Sequence, residues 1–189
     1  MDIVSRVKNI LVTPQTEWPV IDAEPSSVES IYRDYVIYLA AIPAIASFIG
    51  MSLVGFSVPV LGTVRVGLFA GLFGAVVSFA MQLVGVYVLA LITDYLAPNF
   101  SGQKNFLNAL KLAAYSLTAA WLAGIFAILP ALSILGILGL YSFYLFYVGL
   151  PVLMKSPQDK TLLYAGAILV AGIVVNLLIG LIVGLVVRV

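Results

Sequence analysis

The sequence predicts an all-α integral membrane protein: a bundle of five transmembrane helices preceded by a short amphipathic helix at the membrane interface. Hydrophobic residues make up 63% of the 189 residues and charged residues only 9%, against about a quarter charged in soluble domains. A soluble domain of this length could not bury that much apolar surface. The ten-residue alternating segments of a membrane β-barrel are absent from the sequence, so the spans are expected to be helices.

Uncharged runs at 35–64, 66–93, 112–154 and 161–187 define the spans. A helix needs about 20 residues to cross the bilayer core. The run 112–154 would make a helix of about 65 Å, twice the thickness of that core. It must therefore reverse once, and Pro130 is the expected turn. The five predicted spans are 35–56, 66–93, 105–129, 132–154 and 161–187.

Residues 1–34 predict a separate cytoplasmic or interfacial segment, and residues 35–189 the transmembrane domain. In "MDIVSRVKNILV" the apolar residues share one helical face, which predicts a basic amphipathic helix in the headgroup plane; they are Ile3, Val4, Val7, Ile10 and Leu11. Pro14 is expected to end this helix, Trp18 to act as an interfacial anchor, and Ser26 with Glu29 to form a capping box before span one. The segment is either a docking surface or lipid-packing sensor, or a passive collar that seats the bundle.

Lysine and arginine predict the orientation of the bundle. With the amino terminus in the cytoplasm, the inner side holds seven cations: Arg6, Lys8, Arg33, Lys104, Lys111, Lys155 and Lys160. The outer side then holds only Arg65 and Arg188. The bias predicts an inside amino terminus and an outside carboxyl terminus, with the Lys111 side chain extending back toward the interface.

Small residues share one face on each of three spans. On span two they are Gly67, Gly71, Gly74, Ser78, Gln82 and Gly85; on span three Ala109, Ala113, Ser116, Ala120, Gly124 and Ala127; on span five Gly172, Asn176, Gly180 and Gly184. Such faces let helix backbones approach closely in lipid. Spans two, three and five are therefore expected to form a tight core.

Two amides, Gln82 and Asn176, lie on these faces well inside the membrane. They could line a route for a solute or ion. They could equally hold helices together through a hydrogen bond worth about 0.6–1.7 kcal/mol. The sequence favours the structural role, because neither amide carries a charge.

The composition argues against an enzyme. The chain has no cysteine and no histidine, which removes thiol nucleophiles and imidazole acid–base chemistry. No ionisable residue lies deep within a span, so neither a catalytic site nor a cofactor or metal site is expected. The net charge of +1 gives no reason to expect a nucleic-acid partner.

Three stretches carry a resemblance to a known family: "NILVTPQTEWPVI", "DYLAPNFSGQKNF" and "YSFYLFYVGLPVLMKSPQDK". Together they resemble bacterial members of the Ypt-interacting-protein (Yip) family, over nearly the whole chain. The resemblance implies five transmembrane helices, a cytoplasmic amino terminus and a place in the bacterial inner membrane. Eukaryotic members, which have a longer amino-terminal region, are linked to Rab-type GTPases, vesicle traffic and membrane shaping.

The same resemblance implies a cluster of functional residues at the cytoplasmic face: Glu17, Trp18, Asp94, Tyr144, Lys155 and Lys160. At the same face, Glu17, Glu24 or Asp94 is expected to pair with Lys155 or Lys160.

The leading functional hypothesis is a membrane-organising protein that acts by helix-mediated oligomerisation or by binding partner proteins or lipids. Its expected partners are membrane lipids and either further copies of itself or another membrane protein. The candidate packing site comprises Gln82, Asn176, Gly71, Gly74, Gly180 and Gly184. The alternatives are a channel or transporter with a polar route past Gln82 and Asn176, and a lipid-handling protein with a groove open to the bilayer.

Overall fold

The computed structural model describes residues 2–58 and 62–187 of the chain, with the side chains of residues 2–55, 62–175 and 177. Two short helices come first, α1 (Ile3–Val12) and α2 (Pro14–Ala23). The described residues then include five helical segments long and apolar enough to cross a membrane. We number them α3 (Val28–Val54), α4 (Leu68–Leu96), α5 (Phe106–Ile128), α6 (Pro130–Met154) and α7 (Gln158–Val187).

The five predicted spans are thus confirmed as five membrane-capable helices, with ends that differ from the prediction by several residues. The first begins at Val28 instead of residue 35. The predicted reversal at Pro130 is present: Leu129 is extended and Pro130 opens the 3-10 helical first part of α6. Pro43 and Pro151 lie inside helices, as neighbouring helices allow in a membrane.

A short β-hairpin between α3 and α4 is the one departure from all-helical structure in the described part of the chain. Strand β1 (Phe56–Val58) pairs antiparallel with β2 (Gly62–Val64), with Ser57 opposite Thr63. Arg65 follows directly, and its Nε donates to the Val54 carbonyl oxygen across 3.3 Å. These two strands were not predicted from the sequence.

The other end of the bundle gathers the amino-terminal helices, loop 97–105 and the turn after α6. The Gln103 amide donates to the Met154 carbonyl oxygen across 2.7 Å, and Lys160 Nζ donates to Ser101 Oγ across 2.8 Å. The described cations that the sequence placed inside all belong to this half of the molecule, whereas Arg65 belongs to the hairpin end. The two ends therefore differ in charge, and which of them faces the cytoplasm stays a prediction.

The core lies around α5, which is buried along most of its length by α3, α4 and α6. The prediction that spans two, three and five form the tight core is confirmed in part: α4 packs against α5 and α7, but α3 and α6 also cover α5. Close backbone approaches involve α3 and α6 instead: an ideal Cβ at Gly124 would lie 2.5 Å from Pro43 Cβ, and one at Gly139 3.2 Å from Ala120 Cα. Both Gly74 and Gly85 of α4 face open space. The predicted small face of α5 therefore does admit neighbouring helices, through Gly124 and Ala120, but these neighbours are α3 and α6.

Local signals in the amino-terminal segment were partly misread. Asp2 caps α1 by accepting from the Val4 and Ser5 amides, each at 3.2 Å, and hydrogen bonds from Ser5 and these amides lower the pKa of its carboxyl group. Pro14 does not merely end α1 but opens α2, the position where its missing N–H costs nothing.

The capping box before α3 is one residue later than predicted. Ser27 Oγ accepts from the Ser30 amide at 3.1 Å, and Ser30 Oγ accepts from the Ser27 amide at 2.9 Å. The predicted pair, Ser26 with Glu29, is therefore wrong. "SSVES" contains two overlapping frames, and a serine can play the reciprocal role that was assigned to the glutamate.

Candidate functional site

Residues 2–24 form a helical hairpin, α1 and α2 joined at Thr13, that packs against α5 and α6; we call it the amino-terminal hairpin. Its turn reaches far along the bundle, because Tyr141 Oη donates to the Leu11 carbonyl oxygen across 3.0 Å. Tyr141 precedes Met154, the end of α6, by about 20 Å at 1.5 Å per residue. The hairpin therefore runs beside α6. The placement of α1 in the headgroup layer stays a prediction.

Trp18 is fully buried between α5 and α6, so its predicted role as an interfacial anchor is wrong. An ideal Cβ at Gly149 would lie 2.5 Å from Trp18 Cε2 and 2.7 Å from Leu112 Cδ1. The absence of a side chain at Gly149 creates the pocket that the indole fills. Gly149 is therefore a docking position for the amino-terminal hairpin.

Arg6 points into the protein and not toward water, with 4% of its surface exposed. Its guanidinium binds Glu17 through Nη1 and Glu24 through Nη2. The guanidinium carbon also lies 5.7 Å from the centre of the Tyr115 ring, within cation–π range. The turn at Thr13 brings the carboxylates of α2 against α1, so this buried cation is compensated.

Lys111 is 3% exposed and does not extend to the interface, contrary to prediction. Its Nζ donates to the carbonyl oxygens of Ile21 and Glu24 at 2.8 and 2.6 Å. These oxygens lie at the carboxyl end of α2, where a helix presents unpaired carbonyl groups and a partial negative charge. Lys111 thus holds the end of α2 against α5.

Asp22 completes the polar contacts of the hairpin. Its Oδ2 accepts from Lys155 Nζ at 2.5 Å, and its Oδ1 accepts from Asn108 Nδ2 at 3.0 Å. The same Asn108 nitrogen donates to the Leu153 carbonyl oxygen at 3.0 Å. One carboxylate therefore ties α2 to both α5 and the end of α6.

The predicted ion pairs of Lys155 and Lys160 with Glu17, Glu24 or Asp94 are wrong. Arg6 occupies both glutamates, and Asp22, which the sequence analysis did not consider, takes Lys155. Lys160 binds Ser101.

The predicted cytoplasmic cluster is consequently divided in four, with Lys160 bound to Ser101. Glu17, Trp18 and Lys155 belong to the contact between the amino-terminal hairpin and the bundle. Asp94 lies at the other side of α5, near the end of α4, and its Oδ1 is buried without a hydrogen-bond partner among the described residues. Tyr144 is exposed on α6 with its ring 5.2 Å from that of Tyr141.

The cluster around the hairpin balances three cations with three carboxylates: Arg6, Lys111 and Lys155 with Glu17, Asp22 and Glu24. Their partners connect α1 to α2 and α2 to α5 and α6. An arrangement of mutually engaged charges holds one element in place on another. These contacts hold the amino-terminal hairpin on the transmembrane bundle, and we call this cluster the seat of the hairpin.

The candidate packing site within the membrane is only partly described. Gln82 Nε2 donates to the Ala40 carbonyl oxygen of α3 at 3.3 Å, so the amide joins two helices. An ideal Cβ at Gly71 would lie 1.9 Å from Ser52 Oγ of α3, whereas Gly74 has no atom within 4 Å of that position. The side chain of Asn176 and the surroundings of Gly180 and Gly184 lie outside the described residues.

The sequence of the chain matches a known protein family over most of its length. The Yip1 domain family profile matches residues 8–179. No solved structure matches.

Two curated relatives are each called "Inner membrane protein YohC". One comes from Escherichia coli strain K12 and the other from Escherichia coli O6:H1 strain CFT073. Each is 28% identical over 127 residues, which cover 67% of this chain, and the match spans 65% of the length of these relatives. Together with the five membrane-capable helices, these matches identify the chain as a member of the Yip1 domain family and a multi-pass protein of the bacterial inner membrane.

Proposed function

We propose that this protein organises the membrane without catalysis, by associating with further copies of itself through one face of α4. The observation that supports this most is the exposure of small residues on that helix. Of the 29 residues of α4, only Gly71, Val86, Ala90 and Thr93 are buried. Gly74 and Ser78 lie together on an exposed face.

Lipid tails are as apolar as leucine, so burial of apolar surface alone does not drive helices together in a bilayer. Small residues promote association because they allow two backbones to approach closely and pack. Gly71 lies about one turn before Gly74, and it already allows close packing of α4 against α3. The remaining part of the face is open to a second α4.

The proposed orientation has the amino-terminal hairpin in the cytoplasm and the carboxyl terminus outside. The charge difference between the two ends of the described bundle supports it. The end with the amino-terminal hairpin carries Arg6, Lys8, Arg33, Lys104, Lys111, Lys155 and Lys160, and the end with the β-hairpin carries Arg65.

Disulfide crosslinking in native inner membranes tests the association. The chain has no cysteine, so Ser78→Cys introduces a unique thiol on the exposed face of α4. We expect this variant to form a covalent dimer on oxidation, because the two thiols would meet across the interface. Phe143→Cys, at an exposed position on α6, is the matched control and should stay monomeric. Equal dimer yields from the two variants would reject the α4 interface.

A route for a small solute or ion past Gln82 and Asn176 is the second candidate. A cavity of about 450 Å³ beside Gln82 supports it. Flux in proteoliposomes tests this function: Gln82→Leu and Asn176→Leu should each abolish transport if the amides line the route. If vesicles that contain the unmodified protein show the same flux as protein-free vesicles, this candidate is rejected.

A further inference from the structure

The exposed surface of α3 changes abruptly from charged to apolar near the start of the helix. Glu29, Arg33 and Asp34 are all exposed and form ion pairs with one another. The stretch from Ile37 to Val54 carries no charge. It would be about 27 Å long, close to the thickness of about 30 Å of a hydrocarbon core. On α3 the membrane boundary, where hydrocarbon gives way to headgroups, therefore lies between Asp34 and Ile37.

Contacts through α5 place an exposed tyrosine of α6 near the same level. Tyr35 Oη lies 2.6 Å from Thr118 Oγ1, and the Ala120 amide donates to Ser142 Oγ across 2.9 Å. Tyr144, two residues beyond Ser142, is exposed. Tyrosine is enriched where hydrocarbon meets the headgroups, so the boundary on α6 matches that on α3.

The amino-terminal hairpin packs beside this part of α6 and presents polar side chains outward. The exposed ones include Lys8, Asn9, Gln15 and Thr16. Acyl chains offer no hydrogen-bond partners to such groups. The hairpin surface is therefore suited to water and headgroups, as is the start of α3.

The exposed surface of α4 stays apolar well beyond this level. Tyr32 Oη donates to the Leu83 carbonyl oxygen, so Leu83 marks on α4 the level of the charged start of α3. Leu91 and Tyr95 lie about 12 and 18 Å beyond Leu83 along the helix, and they are 47% and 72% exposed. The Tyr95 ring lies 5.7 Å from Lys104 Nζ. Tyrosine and lysine together are typical of a membrane boundary, which on α4 thus lies near Tyr95.

The start of α7 extends the apolar surface of α4 sideways. Tyr164 Oη donates to the Thr93 carbonyl oxygen. Leu162 and Leu163 precede Tyr164 directly and are 72% and 68% exposed. Two neighbouring helices therefore carry apolar surface at a level where α3 and the amino-terminal hairpin are polar.

We propose that the membrane boundary lies about 12 Å closer to the bilayer centre beside α3, α6 and the amino-terminal hairpin than beside α4 and α7. Headgroups and water contact the hairpin and the start of α3, whereas acyl chains of the same leaflet cover Leu91 and Leu163. Lipid is the expected cover, because the apolar surface of α4 continues without a charge from the exposed Val84 to Leu91. Bilayers adjust their local thickness to the apolar length of a protein, so this leaflet is thinner on the hairpin side.

The inference is independent of self-association through α4. Leu91 follows Ser78 by thirteen residues, which is about 220° around the helix. The two side chains therefore lie on different faces of α4, and failure of either proposal leaves the other standing.

Spin labels on single cysteines in reconstituted phospholipid vesicles test the proposal, because the chain has no cysteine of its own. Oxygen, which concentrates in lipid, and a water-soluble nickel chelate each relax an accessible label. We expect the ratio of oxygen to nickel accessibility to be several-fold higher for Leu91→Cys than for Arg33→Cys. Leu163→Cys should resemble Leu91→Cys. Ile45→Cys, exposed on α3, is the control for lipid, and Lys8→Cys is the control for water.

Two results would overturn the proposal. Equal ratios for Leu91→Cys and Arg33→Cys would show that the boundary is level around the bundle. Low accessibility to both agents at Leu91 and Leu163 would show that protein, and not lipid, covers this surface. Each labelled variant should keep the parental midpoint of thermal unfolding in detergent. Leu163→Cys replaces Leu91→Cys, and Glu29→Cys replaces Arg33→Cys, if either variant fails that check.

Discussion

Trp18 and Gly149 fit together as a side chain and the space left for it: the indole lies where any Cβ at position 149 would have to be, 2.5 Å from the ring carbon Cε2. A glycine inside α6 lowers intrinsic helix stability. Here it gives the amino-terminal hairpin its deepest contact with the transmembrane bundle. The local cost in α6 is thus offset by the packing of a fully buried tryptophan.

Gly149→Ala is expected to loosen the hairpin. Overpacking of a filled site costs about 1–3 kcal/mol, which outweighs the gain of about 1 kcal/mol in helix propensity. Thermal unfolding in detergent should show a lower midpoint, and proteases should cut the first 24 residues faster. Gly166→Ala, at a helical position with open space, is the control and should not be destabilised. An alanine at 149 that matches or exceeds the parent in stability would contradict the tight fit.

Arg6→Gln is expected to destabilise the protein by about 3–5 kcal/mol, since it leaves the buried Glu17 carboxylate without its cation. Adding Glu17→Gln should recover a large part of this loss, because the buried charge disappears. Denaturant unfolding in detergent measures both effects. Arg33→Gln removes an arginine whose side chain is 64% exposed and should change the free energy of unfolding little. Equal effects of Arg6→Gln and Arg33→Gln would show that Arg6 is not buried.

Lys155→Glu and Lys160→Glu should differ in their effects on the hairpin. Lys155 binds Asp22 of α2, whereas Lys160 binds Ser101 in loop 97–105. Reversal of charge at 155 therefore places two carboxylates together and should accelerate proteolysis of the amino-terminal segment. Reversal at 160 should leave that rate unchanged. If both variants are cut at the parental rate, Asp22 does not depend on Lys155 for its position.

Thiol labelling should reveal the orientation of the bundle. Thr63→Cys lies on the exposed β-hairpin and Lys104→Cys on the exposed loop after α4. With the amino terminus inside, a membrane-impermeant maleimide should label position 63 in intact spheroplasts. It should label position 104 only after the membrane is opened. The reverse pattern would invert the assignment.

The uncharged runs were sufficient to predict five helices and the reversal at Pro130, because the bilayer sets the length of a span independently of its neighbours. The seat of the hairpin was not predictable in the same way. Helical periodicity places Arg6 on the polar face of α1. Periodicity contains no information about the carboxylates that the later turn at Thr13 brings close to it. Trp18 and Lys111 also match the pattern of interface residues, and only their tertiary partners distinguish them.

One signal for the hairpin was present in the sequence. Gly149 lies in a helix between large apolar residues, where lipid tolerates a glycine but does not require it. Such a position often marks a close approach by another element. The small faces of α4 and α7 could not be assigned in this way, because periodicity shows which residues share a face but does not identify the helix opposite.

Lys111 binds Ile21 and Glu24 only through their main-chain oxygen atoms. Every amino acid carries such an oxygen, so this contact by itself places no demand on the side chains at those positions. The contact requires only the carbonyl oxygens exposed at the carboxyl end of a helix. Homologous chains are accordingly free to diverge there while preserving the same attachment, provided that the lysine and the helix end are retained.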